Sequence, residues 1–191
     1  MNQGILLAAG FSRRFGSNKL LQLMADGAPL AVIAARRLHA VLPEILAVVN
    51  PHDAVLARLL EQNDIPITVC PHAQEGMGAS LAWAVSRTPQ ASAWIIALAD
   101  MPLIQPATIA RIAGALCDPT AIAVPVFQGQ RGHPVGFGRA YFEELAQLNG
   151  DHGAQSLLRH HAERVQRLVC NDPGIVMDID TPADLDSAPL N

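Results

Sequence analysis

Two cationic side chains follow a short apolar run near the start of the chain and could bind an anion. Residues 5–7 have the composition of a buried strand, and the loop that follows carries Arg14 and Lys19. The intervening small residues leave room for backbone N–H groups to approach phosphate oxygens: Ala8, Ala9, Gly10, Ser12 and Gly16. Because a polyphosphate requires such N–H groups together with fixed cations, this segment predicts an anion-binding strand and loop.

Carboxylates stand at two positions suited to a hard cation. Asp100 follows the apolar residues 94–99, and a carboxylate at the end of a buried strand is well placed to bind Mg²⁺ with the help of substrate phosphates. The alternative is a turn or cap residue before Pro102. Asp178 and Asp180 alternate, so both side chains point the same way if this segment is extended. The alternative for Asp180 is a cap of the helix that follows.

A glycine-rich segment at residues 76–80 indicates a helix start that could approach a nucleotide. It does not fit a dinucleotide fingerprint, because Leu81 stands at the third glycine position and Pro71 and His72 interrupt the preceding strand. The sequence also lacks the Gly-Lys-Ser/Thr signature of a P-loop. Gly76 and Gly78 would either let backbone groups read a base or serve only the turn.

Composition narrows the function classes. The 191 residues suit one domain, here taken as 1–191, and half of them are apolar. Thirteen basic against 17 acidic side chains give a net charge of −4, which argues against an extended nucleic-acid surface. No apolar run reaches membrane length. The scattered cysteines at 70, 117 and 170 indicate reduced thiols. We therefore expect a cytoplasmic protein with neither nucleic acid nor membrane as partner.

Strand-like and helix-like stretches alternate along the chain, which predicts a mostly parallel α/β sheet with helices on both faces. The predicted strands are 4–7, 45–49, 67–70, 94–98, 121–127 and 165–169. The predicted helices are 29–41, 53–62, 78–86, 106–116, 139–148 and 154–162, with a capped turn at 181–186. Ligands of such sheets bind outside the carboxyl ends of the strands, so the loop after Leu7, the loop before Ser80 and Asp100 should face one crevice.

The loop Leu7-Ala8-Ala9-Gly10-x-Ser12-x-Arg14-x-Gly16-x-x-Lys19 resembles the signature of nucleotidyltransferases that move a nucleoside monophosphate from an NTP to a phosphorylated acceptor. Residues 75–81, 99–102, 132–137 and 178–185 are similar to segments of the molybdenum cofactor cytidylyltransferase-like branch. The resemblance spans residues 4 to about 185. It implies a three-layer α/β sandwich with a mostly parallel, Rossmann-like sheet of the nucleotide-diphospho-sugar transferase type. It also implies one NTP-transferase domain with an acceptor-side region at about 128–160.

The resemblance further implies transfer of CMP from CTP to the phosphate of molybdopterin, with Mg²⁺ as cofactor and pyrophosphate as the second product. Lys19, Arg14 and Asp100 would be catalytic, Asp100 and Asp180 would bind the metal, and His133 and Asp151 would lie on the acceptor side. The nucleotide would contact Leu7, Ala8, Ala9, Gly10, Ser12, Arg14, Lys19, Gly76, Gly78 and Ser80.

The acceptor stays open at this point, because Gln155 stands where the family has an arginine. Two further enzymatic alternatives are transfer of GMP and use of another phosphorylated acceptor such as a sugar phosphate. A different class is a non-catalytic pterin carrier that serves a molybdoenzyme client. Catalysis is favoured over the carrier because a carrier does not require Arg14, Lys19, Asp100 and Asp180 together.

Overall fold

The computed structural model describes residues 1–10 and 18–187. The strands are β1 (Asn2–Leu7), β2 (Glu44–Val49), β3 (Ile67–Val69), β4 (Ala93–Leu98), β5 (Ile122–Phe127), β6 (Gln130–Arg131), β7 (Val135–Gly138) and β8 (Val165–Val169). The α-helices are α1 (Leu30–His39), α2 (Ala54–Glu61), α3 (Met77–Arg87), α4 (Pro106–Gly114), α5 (Phe142–Ala146), α6 (Gln155–His160) and α7 (Pro182–Ser187). Short 3₁₀ turns include Lys19–Leu21 and Pro173–Val176.

The described strands form one eight-stranded sheet in the order β3-β2-β1-β4-β7-β5-β6, and β8 also pairs with β5. The pairs β1–β2, β1–β4, β2–β3 and β5–β8 are parallel. The pairs β4–β7, β5–β6 and β5–β7 are antiparallel. The predicted mostly parallel sheet is therefore confirmed, with β6 and β7 running against the other strands.

Alternating side chains of the sheet enter two separate cores, one on each face. Leu6 and Ile95 belong to the core that also contains residues of α1, α2 and α4. Their neighbours Ile5 and Ile96 belong to the core that contains residues of α3, α5 and α6. Because consecutive strand residues point to opposite faces, these continuous apolar strands require helices on both sides. The result is the predicted three-layer sandwich.

The part of the chain that sequence patterns predict least well is residues 128–148. No strand was expected there, yet β7 lies between β4 and β5 and completes the sheet. Glycines occupy two of its four positions, which weakens the strand signal. A Cβ at Gly136 would lie 2.7 Å from Leu116 Cδ1 and 2.9 Å from Ile112 Cγ2, so the glycine permits α4 and the residues just after it to pack closely. The helix expected at 139–148 is a 3₁₀ turn followed by the five-residue α5.

Within the described ranges, no helix combines the length and the apolar character needed to cross a membrane.

Candidate active site

Two central strands end together and place the first part of the site at one edge of the sheet. Leu7 of β1 and Leu98 of β4 are partners in the parallel register, and the Ala99 N–H donates to the Leu7 carbonyl at 3.1 Å. The loop that begins at Ala8 and the carboxylate of Asp100 therefore emerge side by side. This confirms the predicted placement of both at the carboxyl edge of the sheet.

The C-terminal segment returns to this edge and brings Asp180 to Asp100. The N–H of Ile179 donates to the Asp100 carbonyl at 2.9 Å, and the Ile179 side chain is buried. The Asp184 carboxylate accepts from the N–H groups of Asp180 at 2.9 Å and Thr181 at 2.6 Å. These contacts hold the turn on both sides of Asp180.

Lys19 joins the two carboxylates. Its Nζ lies 2.8 Å from Asp100 Oδ2 and 2.5 Å from Asp180 Oδ1. Burial lowers the pKa of Lys19, but the hydrogen bonds and charges of the two aspartates outweigh this effect and raise the pKa above its ordinary value. The side chain is therefore protonated at neutral pH. Lys19 is also the only lysine in the 191-residue sequence, a signal that composition alone could have supplied.

The donor set of this cluster fits a divalent cation that completes its shell with substrate oxygens. Asp100 and Asp180 both contact the Nζ atom of Lys19, so their carboxylates lie close together. Mg²⁺ is typically bound by one or two carboxylates together with phosphates. Across residues 1–10 and 18–187, no three or more His, Cys, Asp or Glu side chains are grouped so as to hold a metal.

The start of α3 packs tightly against the loop at 149–151. This packing is sufficient to require glycine at positions 76 and 78. A Cβ at Gly76 would lie 2.4 Å from Asp151 Oδ1, and one at Gly78 would lie 2.4 Å from the Asn149 carbonyl oxygen. The Gly78 N–H donates to the Gly150 carbonyl at 2.7 Å. The structure thus explains both glycines by close packing at the start of α3, without reference to a base. Nucleotide contact by Gly76 and Gly78 stays a prediction.

Two other predicted residues lie close to this packing. The buried Ser80 donates from its Oγ to the Gly76 carbonyl at 3.4 Å. Asp151 is exposed and lies beside Gly76. The residue predicted for the acceptor side is therefore next to the loop predicted for the nucleotide.

His133 presents an unsatisfied nitrogen near the cluster. Its backbone N–H donates to the Ile175 carbonyl at 2.9 Å. The buried ring nitrogen Nδ1, in contrast, has no hydrogen-bond partner among the described residues. Burial lowers the pKa of the imidazole, against the opposing influence of the Ile96 backbone and the Asp100 charge. The ring is therefore neutral at pH 7. A buried nitrogen without a partner is costly.

Sequence reasoning missed Asp172, which fixes the path toward Asp180. Its buried carboxylate accepts from the Gln105 N–H at 2.9 Å, the Thr108 hydroxyl at 2.7 Å and the Gly174 N–H at 3.0 Å. These bonds tie the 3₁₀ turn Pro173–Val176 to the start of α4. The Asp-Pro-Gly sequence at 172–174 is a turn signal, but two of the three partners of the carboxylate, Gln105 and Thr108, are distant in sequence.

Comparison with known proteins supplies the family. Residues 4–165 match the family described as the MobA-like NTP transferase domain. The chain belongs to the MobA-like NTP transferase family. It is 29% identical to the purine catabolism protein PucB of Bacillus subtilis, with 96% of this chain and 93% of PucB aligned. The resemblance to a nucleotidyltransferase is thus confirmed at the level of the family.

Solved structures agree with this assignment and with the predicted fold type. Rv0371c of Mycobacterium tuberculosis superposes with a TM-score of 0.80 at 29% identity, covering 97% of this chain and 95% of that one. Rv0371c is also known in complex with manganese, with a TM-score of 0.77, 25% identity and coverage of 97% and 96%. A nucleotidyl transferase from Methanothermobacter has a TM-score of 0.85 at 18% identity, covers 98% and 95%, and shows the shared fold alone.

The described part of this MobA-like chain brings together Lys19, Asp100 and Asp180, with residues 7–10 beside them. The start of α3 forms a second group with Asp151. Ser12, Arg14 and Gly16 lie outside the described residues, so their roles stay predictions.

Proposed function

We propose that this protein transfers CMP from CTP to the phosphate of molybdopterin, releases pyrophosphate and requires Mg²⁺. The observation that carries the proposal is Lys19, held between Asp100 and Asp180 at the carboxyl edge of the sheet. A protonated amine and two carboxylates beside a loop of small residues provide what an NTP and its cation need. The matching family supports transfer of a nucleotide, whereas the choice of CTP and molybdopterin is our proposal.

The reaction needs alignment and charge neutralisation more than proton transfer. An acceptor phosphate oxygen attacks the α-phosphorus of CTP, forming a P–O bond as the bond to the leaving pyrophosphate breaks. A phosphate monoester is already anionic at neutral pH, so no general base is required. Lys19 lowers the repulsion between the reacting phosphates because its charge is fixed before the substrate arrives. We assign the leaving pyrophosphate to Arg14 from its place in the sequence.

Asp100 and Asp180 are the residues that would hold Mg²⁺. The bound ion would supply positive charge beside the α-phosphate. The protein's own part is to keep the two carboxylates close together, which the Ile179 N–H bond to the Asp100 carbonyl does from the main chain. We propose His133 as an acceptor contact because the Nδ1 of its neutral ring has no hydrogen-bond partner among the described residues.

We place the nucleotide between residues 7–10 and the start of α3, and the acceptor beside the region at 128–160 of a single domain. Gly76, Gly78 and Ser80 would contact the base and ribose, and Asp151 would lie where donor and acceptor meet. We propose a cytoplasmic reaction whose product serves a molybdoenzyme client. The similarity to PucB supports purine catabolism as its setting.

A pyrophosphate-release assay tests the proposal. CTP, GTP, UTP and ATP are each supplied with Mg²⁺ and molybdopterin to wild type, Lys19→Ala and Arg58→Ala. Arg58 lies on the exposed side of α2 and controls for the loss of one positive charge. We expect release with CTP that Lys19→Ala loses and Arg58→Ala keeps. Preference for GTP would indicate guanylyl transfer, and no release with any nucleotide would favour a pterin carrier.

A further inference from the structure

Lys19 has a long side chain, so its place between two carboxylates depends on a fixed backbone. Asn18 accepts two hydrogen bonds from the turn that carries Lys19. The Leu21 N–H donates to the Asn18 carbonyl at 3.2 Å, and the Leu20 N–H donates to the side-chain oxygen of Asn18 at 3.0 Å. The side-chain oxygen of Asn18 therefore caps the turn in which Lys19 is the first residue.

The amide nitrogen of the Asn18 side chain contacts the residue that precedes α2. Asn18 Nδ2 donates to Asp53 Oδ2, and Asp53 Oδ1 accepts from the Leu56 N–H at 3.1 Å, which makes Asp53 the N-cap of α2. Leu56 and Leu60 of this helix are fully buried. A helix anchored in the core is thus connected through Asp53 and Asn18 to the backbone of Lys19.

We propose that Asn18 and Asp53 form a positioning pair that sets the place of the Lys19 amine. This inference rests on the proposed role of Lys19 in nucleotide transfer. Asparagine suits position 18 because the residue must accept from Leu20 and donate to Asp53 at once. A carboxylate at position 18 keeps the first bond but cannot make the second, and it faces Asp53 as a like charge.

A residue swap separates pairing from charge. Asn18→Asp places two carboxylates face to face. The double variant Asn18→Asp/Asp53→Asn restores a donor and an acceptor with their direction reversed. It has the same net charge as wild type, and asparagine remains a good N-cap for α2. Asp53→Asn alone completes the cycle. Thermal unfolding of all four proteins shows which of them fold normally.

Two readouts are measured on the intact chain. In pyrophosphate release with CTP, Asn18→Asp should lower kcat about 10- to 100-fold, because small displacements of a positioned group are costly. The KM for CTP should stay within about threefold of the wild-type KM. In carbon NMR with ¹³Cε-labelled lysine, the one lysine gives one signal. We expect it to move toward the free-lysine shift in Asn18→Asp. The swap should bring both readouts back toward wild type.

Recovery by the swap supports the pair, because a loss caused only by a carboxylate next to Lys19 would persist in it. Two results overturn the inference: an Asn18→Asp protein with wild-type kcat and NMR signal, or a swap that recovers neither. If wild type releases no pyrophosphate with any nucleotide, the proposed function fails. The NMR signal then still decides whether the pair positions Lys19.

Discussion

Replacing Lys19 by methionine should change metal binding and catalysis in opposite directions. Methionine keeps an unbranched chain but removes the charge that both carboxylates share. Since Asp100 Oδ2 and Asp180 Oδ1 contact one nitrogen, they cannot be farther apart than the two distances combined. Two unit charges about 5 Å apart repel by about 3 kcal/mol at an effective dielectric constant of about 20. Solvent at Asp180, whose side chain is 44% exposed, reduces this value.

Loss of the amine therefore leaves a stronger site for a free cation. Lys19→Met no longer repels the incoming ion, and the mutual repulsion of the carboxylates is relieved when the ion binds. We expect the affinity of the nucleotide-free protein for Mn²⁺ to rise about tenfold, or about 1.4 kcal/mol. The kcat with CTP should fall by about 10²- to 10³-fold, as when other preorganised charge stabilisers are removed.

Isothermal titration with Mn²⁺ and steady-state pyrophosphate release measure the two effects. Arg58→Met is the matched control, since it removes one positive charge from an exposed position on α2. It should leave both values within about twofold of wild type, because screening weakens distant surface charges. An Mn²⁺ affinity in Lys19→Met that is equal to wild type, or weaker, would refute the shared-carboxylate site.

Three further predictions concern the residues around the site. Asp172→Ala should lower the free energy of unfolding by about 3 kcal/mol, because it leaves the donors of a buried carboxylate unmatched; the exposed Asp178→Ala should change it by less than about 0.5 kcal/mol in the same denaturant titration. Gly78→Ala places a Cβ against the Asn149 carbonyl and should cost about 1–3 kcal/mol, whereas Gly10→Ala, whose Cβ would meet no atom of the described residues within 4 Å, should be nearly neutral in the same titration. The pKa of His133 is lowered from 6.5, so below that pH the unfolded chain takes up a proton that the folded ring resists, and stability falls; urea titrations from pH 7 to pH 5 should show a smaller fall in His133→Asn, and an equal fall would contradict a lowered pKa.

The parallel half of the sheet could be predicted because its strands are continuous apolar runs separated by helices. β1, β2 and β4 all follow this pattern, and each lies within about two residues of its predicted position. β7 could not be predicted in the same way, because Gly136 and Gly138 have no side chain to contribute to a pattern. Their role becomes visible only when α4 and the Pro119 carbonyl are seen packed against them.

The candidate site likewise has a part that local sequence patterns predict and a part that they do not. The spacing of Lys19 and Asp100 after two adjacent strands was sufficient to place them at one edge of the sheet. The contact with Asp180 depends on bonds between residues far apart in the chain, such as Ile179 to Asp100 and Asp172 to Gln105. No local pattern encodes such bonds, and only the family resemblance paired Asp180 with Asp100. The same holds for Gly76, whose neighbour Asp151 comes from a loop many residues later.

The most direct measurement follows the α-phosphate of CTP. Wild type and Lys19→Met are incubated with α-³²P-labelled CTP, Mg²⁺ and molybdopterin, and the products are separated. We predict that wild type transfers the label to a pterin product and that Lys19→Met transfers at least about 10²-fold less in the same time. Label that remains in CTP, or that appears as free CMP whether or not molybdopterin is present, would contradict nucleotide transfer to this acceptor.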